Sequence, residues 1–428
     1  MASGYVDLDY KPSADDLVCL FYIEPSEGVT FEKATEHVTG ESSIGTWVDV
    51  STMKPEIRDR LAPHIFSLDE KAGLAKIAYP LDLFETDNVP QIMSSIAGNI
   101  YGMKAVQNLR LLDFTLPEKV IRSFKGPAYG IEGIRRLLKV SDRPFVGTII
   151  KPKVGLQPGD HARVAYESWV GGCDIVKDDE NLTSQDFNPL EERIIKTLEM
   201  RDKAESETGE RKIYMPNVTA ETEEMIDRMQ FVKEQGGEYV MLDVITLGFS
   251  ALQTARKYGG EMGLVLHAHR AMHAALTRNK KHGITMLALA KLYRLIGMDQ
   301  LHVGTAVGKM EGPAKEVFSI IEEIKLNDVP ESEGRLSQKW SRLKPTFPVA
   351  SGGLYAGHIP DLVRLAGKDV IIQAGGGVHG HPDGTIAGAK SLRQAVDAVM
   401  SGTTLDEYAK THVELAKALE LFKNKKSA

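Results

Sequence analysis

From Arg143 onward, short apolar runs recur and each is followed by a stretch with helical spacing: Phe145 to Lys151, Cys173 to Lys177, Ile213 to Val218, Tyr239 to Val244, Gly263 to His269, Gln300 to Thr305, Phe347 to Ser351 and Val370 to Ala374. Runs this short predict buried strands, and their alternation with helices predicts that the strands are parallel. About eight such units are what a (β/α)8 barrel requires. Upstream the rhythm differs. Leu17 to Ile23 and Ala75 to Ala78 read as strands, and Phe31 to Thr39 and Gln91 to Met103 as helices, which predicts a small α+β domain. The expected division is residues 1–125 for that domain and 126–428 for the barrel with a C-terminal helix. Helix signals fill the intervals. Asn188 reads as an N-cap before Pro189, a Leu-, Ala- and Met-rich helix covers Gly283 to Ile296, and a capping box at Thr404 to Glu407 opens a final helix that runs into the basic tail Lys423 to Ala428.

Composition narrows the class without naming it. With 428 residues, 42% hydrophobic, 26% charged and a net charge of −7, the chain is an ordinary globular one, long enough for two domains. The acidic balance argues against nucleic acid as the main partner, while leaving room for a local basic pocket around a phosphorylated ligand. Cys19 and Cys173 are the only cysteines, which argues against a disulfide framework or a zinc site and fits a reducing compartment. The N-terminal residues lack the basic-then-apolar pattern of a signal peptide, and no apolar run is long enough to span a bilayer. A cytoplasmic protein with no membrane partner is expected.

The chemistry gathers at the predicted strand ends. Gly171 to Glu180 sets Lys177 among Asp178, Asp179 and Glu180. Side chains alternate along a strand, so Ile175, Lys177 and Asp179 share a face, and Glu180, just past the end, can turn back toward them. Asp179 and Glu180 suit Mg²⁺, which takes oxygen ligands. Lys177 is the odd member: an ammonium repels a cation, so it either neutralises the carboxylates or is converted into something that binds metal. In isolation the run also reads as a solvated charge cluster. Other strand ends carry Lys151-Pro152-Lys153, Asn217, Asp243, His267-Ala268-His269-Arg270, His302 with Gly304-Thr305, Ser351-Gly352-Gly353 and Gly375-Gly376-Gly377. One histidine on an apolar face is usually a hydrogen-bonded core residue. Polar residues at eight successive strand ends instead mark the C-terminal mouth of a barrel, where such folds carry their active sites. Gly375 to Gly377 suits a phosphate held by backbone N–H groups, and Arg270 with His302 and Ser351 suits a second anion; a glycine triplet also reads as a plain turn. Gly304 to Gly312 reads either as a hinged loop carrying Lys309 over the site or as a surface turn.

On these residues the chain resembles the large subunit of the ribulose-1,5-bisphosphate carboxylase/oxygenase (Rubisco) family. The likeness runs through Gly40-Glu41-Ser42-Ser43, Gly45-Thr46-Trp47, Gly98-Asn99, Lys151-Pro152-Lys153, Lys177 to Asn181, His267 to His273, the Lys309 loop, Ser351 to Gly353 and Gly375 to Gly377. It implies a TIM-barrel catalytic domain after a ferredoxin-like N-terminal domain. It also implies an Mg²⁺ enzyme that adds CO₂, with O₂ as competitor, to the enediolate of ribulose 1,5-bisphosphate and cleaves the product to two 3-phosphoglycerates. In the family an activator CO₂ forms a carbamate on the lysine matched by Lys177, which joins Asp179 and Glu180 on the metal. The resemblance gives catalytic roles to Lys151, Lys177, His269 and Lys309. It gives substrate contacts to Glu41, Thr46, Trp47, Asn99, Lys151, Lys153, Arg270, His302, Lys309, Ser351, Gly352, Gly353, Gly375 and Gly376. Homodimers with shared active sites, or higher oligomers of dimers, are implied, without a small subunit.

Leu292 to His302 and the short C-terminus look most like archaeal form III enzymes, which implies a place in nucleoside (AMP) ribose salvage. Ile149, Gln300, Ala306 and Met310 depart from the plant pattern and bear on CO₂/O₂ discrimination and rate rather than on the chemistry. Two rivals stand beside this reading. One is a Rubisco-like enolase or isomerase of a related phosphorylated ketose, a kind of protein that typically lacks several carboxylation residues, whereas Asn99, Lys151, His302 and Lys309 are all present here. The other is a non-catalytic barrel that binds a sugar phosphate.

Overall fold

The computed structural model describes residues 4–46, 50–305, 307 and 314–425. They gather into two compact units, one of Met1–Gly126, Met272–Ile296 and Leu326–Leu343, the other of Pro127–Ala271, Gly297–Lys325 and Lys344–Ala428. Among the described residues no helix is long and apolar enough to cross a membrane.

The second unit is the barrel. Among the described residues its eight parallel strands are Phe145–Ile149, Ile175–Lys177, Ile213–Met215, Tyr239–Asp243, Val265–His269, Gln300–Gly304, Phe347–Ser351 and Ile371–Gln373. Apart from the third and fourth, consecutive strands pair with each other, and the eighth returns to pair with the first. A parallel bridge between Asn217 and Met241, with Met241 N donating to Pro216 O at 2.8 Å, joins the third strand to the fourth and completes the ring. The strands open on apolar side chains that face one another: Phe145, Ile175, Ile213, Tyr239, Val265, Phe347 and Ile371 form a buried floor, sealed by Ile131, Ile134 and Leu138 of the helix Gly130–Leu138. Each such side chain stabilises the fold by about 1.5–3 kcal/mol on burial. With the N-terminal ends filled this way, the polar residues later in each strand fall at the opposite end.

In the first unit a sheet is built from antiparallel strands Asp16–Pro25, His64–Asp69, Leu74–Pro80 and Val106–Thr115. Its far edge is filled by Gly283–Ile284, which pair in parallel with Arg110 and Leu111. Every residue of the helix Met286–Ile296 is buried, and Lys291 Nζ reaches Asp113 Oδ1 at 2.8 Å and Phe114 O at 2.7 Å.

Several helix limits differ from the sequence expectation. The Gly283–Ile296 helix starts only at Met286, because Gly283 has φ +111° and Thr285 caps the helix, its Oγ1 accepting from Ala288 N at 3.1 Å. Gln91–Met103 is a helix Val89–Ile96 followed by a single turn, Asn99–Gly102. The break falls at Gly98, where a Cβ would lie 2.0 Å from Ser94 O. Asn188 does not cap. Pro189 holds the N-cap position of Leu190–Thr208, and both amide atoms of Asn188 are buried without a hydrogen-bond partner among the described residues. Thr404 does cap, accepting from Glu407 N at 3.3 Å, but the helix it opens ends at Ala409 and a separate one runs Val413–Lys425.

Candidate active site

Lys177 ends the second barrel strand two residues above Ile175 of the floor, on the same face, and is fully buried. Its Nζ donates to Asp178 O at 2.7 Å and to Met241 Sδ at 3.3 Å, and it forms no ion pair among the described residues. Burial pushes its ammonium below the ordinary lysine range, against the raising pull of Glu180, Asp179, Asp243 and Asp178. Asp179 is matched by another cation, accepting from Lys151 Nζ at 2.6 Å. Burial pushes the Asp179 carboxyl up, but hydrogen bonds from Lys151 and Asn181 outweigh this and leave it lowered. Glu180 lies 3.6 Å from both Lys153 Nζ and His269 Nε2, beyond direct hydrogen bonding.

Asp178 faces the other way. It meets Arg193 Nε at 3.1 Å, Tyr214 OH at 2.8 Å and Asn217 N at 3.0 Å. His161 Nε2 stands 3.0 Å away, outside strict hydrogen-bond geometry. Burial opposes its ionisation, and Arg193 and His161 overcome that to hold it far below the carboxylate range. The acidic run is thus neither solvated nor one cluster: Asp178 anchors the strand end from behind while Asp179 and Glu180 face the mouth.

His269 Nδ1 lies 2.9 Å from Asp243 Oδ1, and Asn217 Nδ2 donates to Asp243 Oδ2 at 3.2 Å. His302 is bracketed by Ser351 Oγ at 2.7 Å from Nδ1 and His267 Nε2 at 2.9 Å from Nε2. Burial drives both buried rings down, His267 to about 3 and His302 well below the usual range. Arg270 is lowered to about 10 by burial. Its guanidinium lies where a side chain at Gly304 would stand, since a Cβ there would be 2.4 Å from Arg270 Nη2. Gly375 opens a single-turn helix, Gly375–His379, against the Lys151 stem, so that a Cβ at Gly375 would sit 3.0 Å from Lys151 Cε. Gly352 and Gly353 turn the chain after Ser351 with φ of +114° and +67°.

The second unit therefore brings Lys151, Lys153, Lys177, Asp179, Glu180, His269, Arg270, His302, Ser351 and Gly375 to the C-terminal ends of the strands, with Gly352, Gly353 and Gly376 on the adjoining turns. In the first unit Asn99 Nδ2 donates to Glu41 Oε1 at 3.4 Å, and Thr46 follows a turn closed by Gly45 N to Gly40 O at 2.9 Å. Trp47 and Lys309, with Ala306, Gly308 and Met310 of the loop, lie outside the described residues. Sequence reasoning gave no role to Gln373, only noted His267 and Asp243 at strand ends, and tied Gln300 only to CO₂/O₂ discrimination and rate. The missing signal is cross-strand register, which sets Asp243 beside His269 and Gln300 beside His267. Gln373, at the end of the eighth strand, buries both amide atoms without a partner among the described residues.

Fold and site together define a (β/α)8-barrel protein whose lysines, carboxylates, histidines and arginine converge at the mouth where such barrels carry their active sites. The chain belongs to the ribulose bisphosphate carboxylase large-chain family: the model of the catalytic domain matches residues 130–422 and that of the N-terminal domain residues 4–120. It is 54% identical to the ribulose bisphosphate carboxylase of Methanosarcina barkeri over 422 residues, 98% of this chain and 99% of that one. The protein of the same name from Methanocaldococcus jannaschii is 54% identical over 428 residues, 98% of this chain and all of that one. Among solved structures, the dimeric archaeal Rubisco of Hyperthermus butylicus superposes with a TM-score of 0.92 at 45% identity, covering 97% of this chain and 98% of that one. The octameric enzyme of Pyrococcus horikoshii gives 0.91 at 49%, covering 97% and 95%.

Proposed function

We propose that the chain carboxylates ribulose 1,5-bisphosphate, with O₂ as competing substrate, in a site organised by a carbamate on Lys177. The state of Lys177 carries this reading: it is fully buried, its ammonium is disfavoured, and the neighbouring Asp179 is already matched by Lys151. A lysine so placed is not there for neutralisation. As a free amine it adds CO₂, forming an N–C bond and releasing one proton. Among the described residues no three His, Cys, Asp or Glu side chains gather as a metal site. Asp179 and Glu180 with two new carbamate oxygens at Lys177 make a set that fits Mg²⁺. Mg²⁺ held there would stabilise negative charge developing on the substrate oxygens.

The chain's own residues then divide the proton transfers. Lys177, once carboxylated, takes the proton from C3 of the sugar. Lys309 orients the substrate CO₂ at C2. His269, oriented by Asp243, assists as water adds at C3 and the C2–C3 bond breaks. Lys151, with Lys153 tuning it, returns a proton to C2, and two molecules of 3-phosphoglycerate leave. Gly375, Gly376, Lys309, Thr46 and Trp47 hold one phosphate, Arg270 and His302 the other, and Ser351 meets the sugar chain on the turn of Gly352 and Gly353. Glu41, Thr46, Trp47 and Asn99 of one chain complete the barrel site of a partner in a homodimer. Residues 1–125 and 126–428 are the corresponding N-terminal and catalytic domains in chain order. The stretch Leu292 to His302 favours form III, and with it ribose salvage in the cytoplasm.

The test is Mg²⁺- and bicarbonate-dependent formation of 3-phosphoglycerate from ribulose 1,5-bisphosphate. Activity should rise after preincubation with CO₂ and Mg²⁺ together, and Lys177→Arg, which keeps the charge but forms no carbamate, should be nearly inert. Full activity in that variant would overturn the reading, and C3 proton exchange without fixation in the unaltered protein would favour the enolase.

A further inference from the structure

Four side chains from three adjacent strands form one hydrogen-bonded chain across the barrel: Gln300 Oε1 lies 2.8 Å from His267 Nδ1, His267 Nε2 lies 2.9 Å from His302 Nε2, and His302 Nδ1 lies 2.7 Å from Ser351 Oγ. Gln300, His267 and His302 are all buried. Two ring nitrogens that face each other at hydrogen-bond distance share one proton. Burial keeps both rings neutral, so each carries a single N–H. Two arrangements remain. In one, Ser351 donates to His302 Nδ1, His302 Nε2 donates to His267 Nε2, and His267 Nδ1 donates to an acceptor. In the other every bond is reversed and His267 Nδ1 needs a donor. Gln300 presents its oxygen to His267, while its Nε2 is buried without a hydrogen-bond partner among the described residues. The oxygen beside His267 Nδ1 can only accept, and this selects the first arrangement.

We propose that Gln300 is a positioning residue that sets the tautomers of His267 and His302, and through them turns the Ser351 hydroxyl proton inward, so that Ser351 meets its ligand as an acceptor. A group that accepts recognises a hydroxyl of the sugar rather than a carbonyl or phosphate oxygen. This last step rests on the proposed function; the direction of the chain does not. The register supports the assignment, because Gln300 stands directly beside His267 in the parallel ladder. A neutral amide supplies an acceptor there without adding a charge to a buried layer.

Nitrogen-15 NMR of histidine-labelled full-length protein reads the tautomers directly, with the two rings assigned from His267→Asn and His302→Asn. The expected result is a protonated Nδ1 and bare Nε2 on His267, and the reverse on His302. Ser351→Ala should leave both tautomers in place, whereas Gln300→Met should give mixtures at both rings. Gln300→Met should also raise KM for ribulose 1,5-bisphosphate by roughly five- to tenfold, the loss of one neutral hydrogen bond, with a smaller effect on kcat. Opposite tautomers in the unaltered protein, tautomers that persist in Gln300→Met, or tautomers scrambled by Ser351→Ala would each overturn the proposal. The unaltered and Ser351→Ala spectra decide the direction even if Gln300→Met fails to fold. Expected tautomers in a protein without carboxylase activity would overturn the function alone.

Discussion

Among the described residues Lys177 differs from the other charged residues of its strand end in having no opposite charge bound to it, and burial is what makes this tolerable: the amine stays neutral at lower pH than an exposed lysine. The same burial makes histidine the acid-sensitive element of the fold. His267 is lowered to about 3, His379 to about 4, and His302 well below the usual value, each chiefly by burial. An unfolded histidine titrates near 6.5, so the stability these rings contribute is full above that pH and is lost as pH falls toward their folded values. Unfolding free energies from urea titrations at pH 7 and pH 5 should differ accordingly, by about 2 kcal/mol per ring. Equal stability at the two pH values would mean that the rings titrate in the folded protein as they do in the unfolded chain. The sequence made Lys177 and Asp179 legible because strand alternation separates them from Asp178, and Glu180 because it lies past the strand end and can turn back. The histidine chain was not legible, because which side chains meet across strands depends on register, and nothing local in the sequence records that.

At the level of elements the eight strand positions were readable from apolar runs, and the runs overstate the strands mainly at their ends. Cys173 and Asp174 precede the paired residues, and Asp174 instead grips Arg143 through two 2.7 Å bonds. Helix starts were less readable, since a glycine at positive φ such as Gly283 looks in sequence like any other residue of an apolar run. Gly304 is the element end where such freedom bears on function. Its φ is +89°, and a Cβ would collide with the Arg270 guanidinium. Gly304→Ala should cost about 1–2 kcal/mol of stability through its backbone. It should also displace Arg270 and weaken binding of a sugar bisphosphate by roughly tenfold, about 1.4 kcal/mol. Calorimetric binding measured beside Tm separates the two effects; unchanged affinity with lowered Tm would mean that Arg270 does not meet the ligand.

For the molecule as a whole, the first unit draws on three separate stretches of chain, the last ending at Leu343. A fragment of residues 126–428 would keep the apolar helix Met286–Ile296 but lose the strand Val106–Thr115, with the Asp113 and Phe114 groups that Lys291 meets. Such a fragment should be poorly soluble, and adding residues 1–125 in trans should lessen the defect in a sedimentation assay; a well-folded fragment on its own would show that the helix is stable without its sheet. If sites are shared between chains, co-refolding inactive Glu41→Gln with inactive Lys177→Arg should restore part of the carboxylase activity, since one site in each mixed dimer is unaltered. No recovery, with mixed dimers demonstrated, would place a complete site within each chain. The placement of Gly283–Ile284 at the edge of the N-terminal sheet also sets a clock. On a ribosome adding roughly 5–20 residues per second, the strand Val106–Thr115 emerges about ten seconds or more before its parallel partner, and Asp113 waits equally for Lys291. During that interval the nascent chain exposes an unpaired strand edge and an unmatched carboxylate, so the half of the protein made first is the half that must be shielded longest from its neighbours on a polysome.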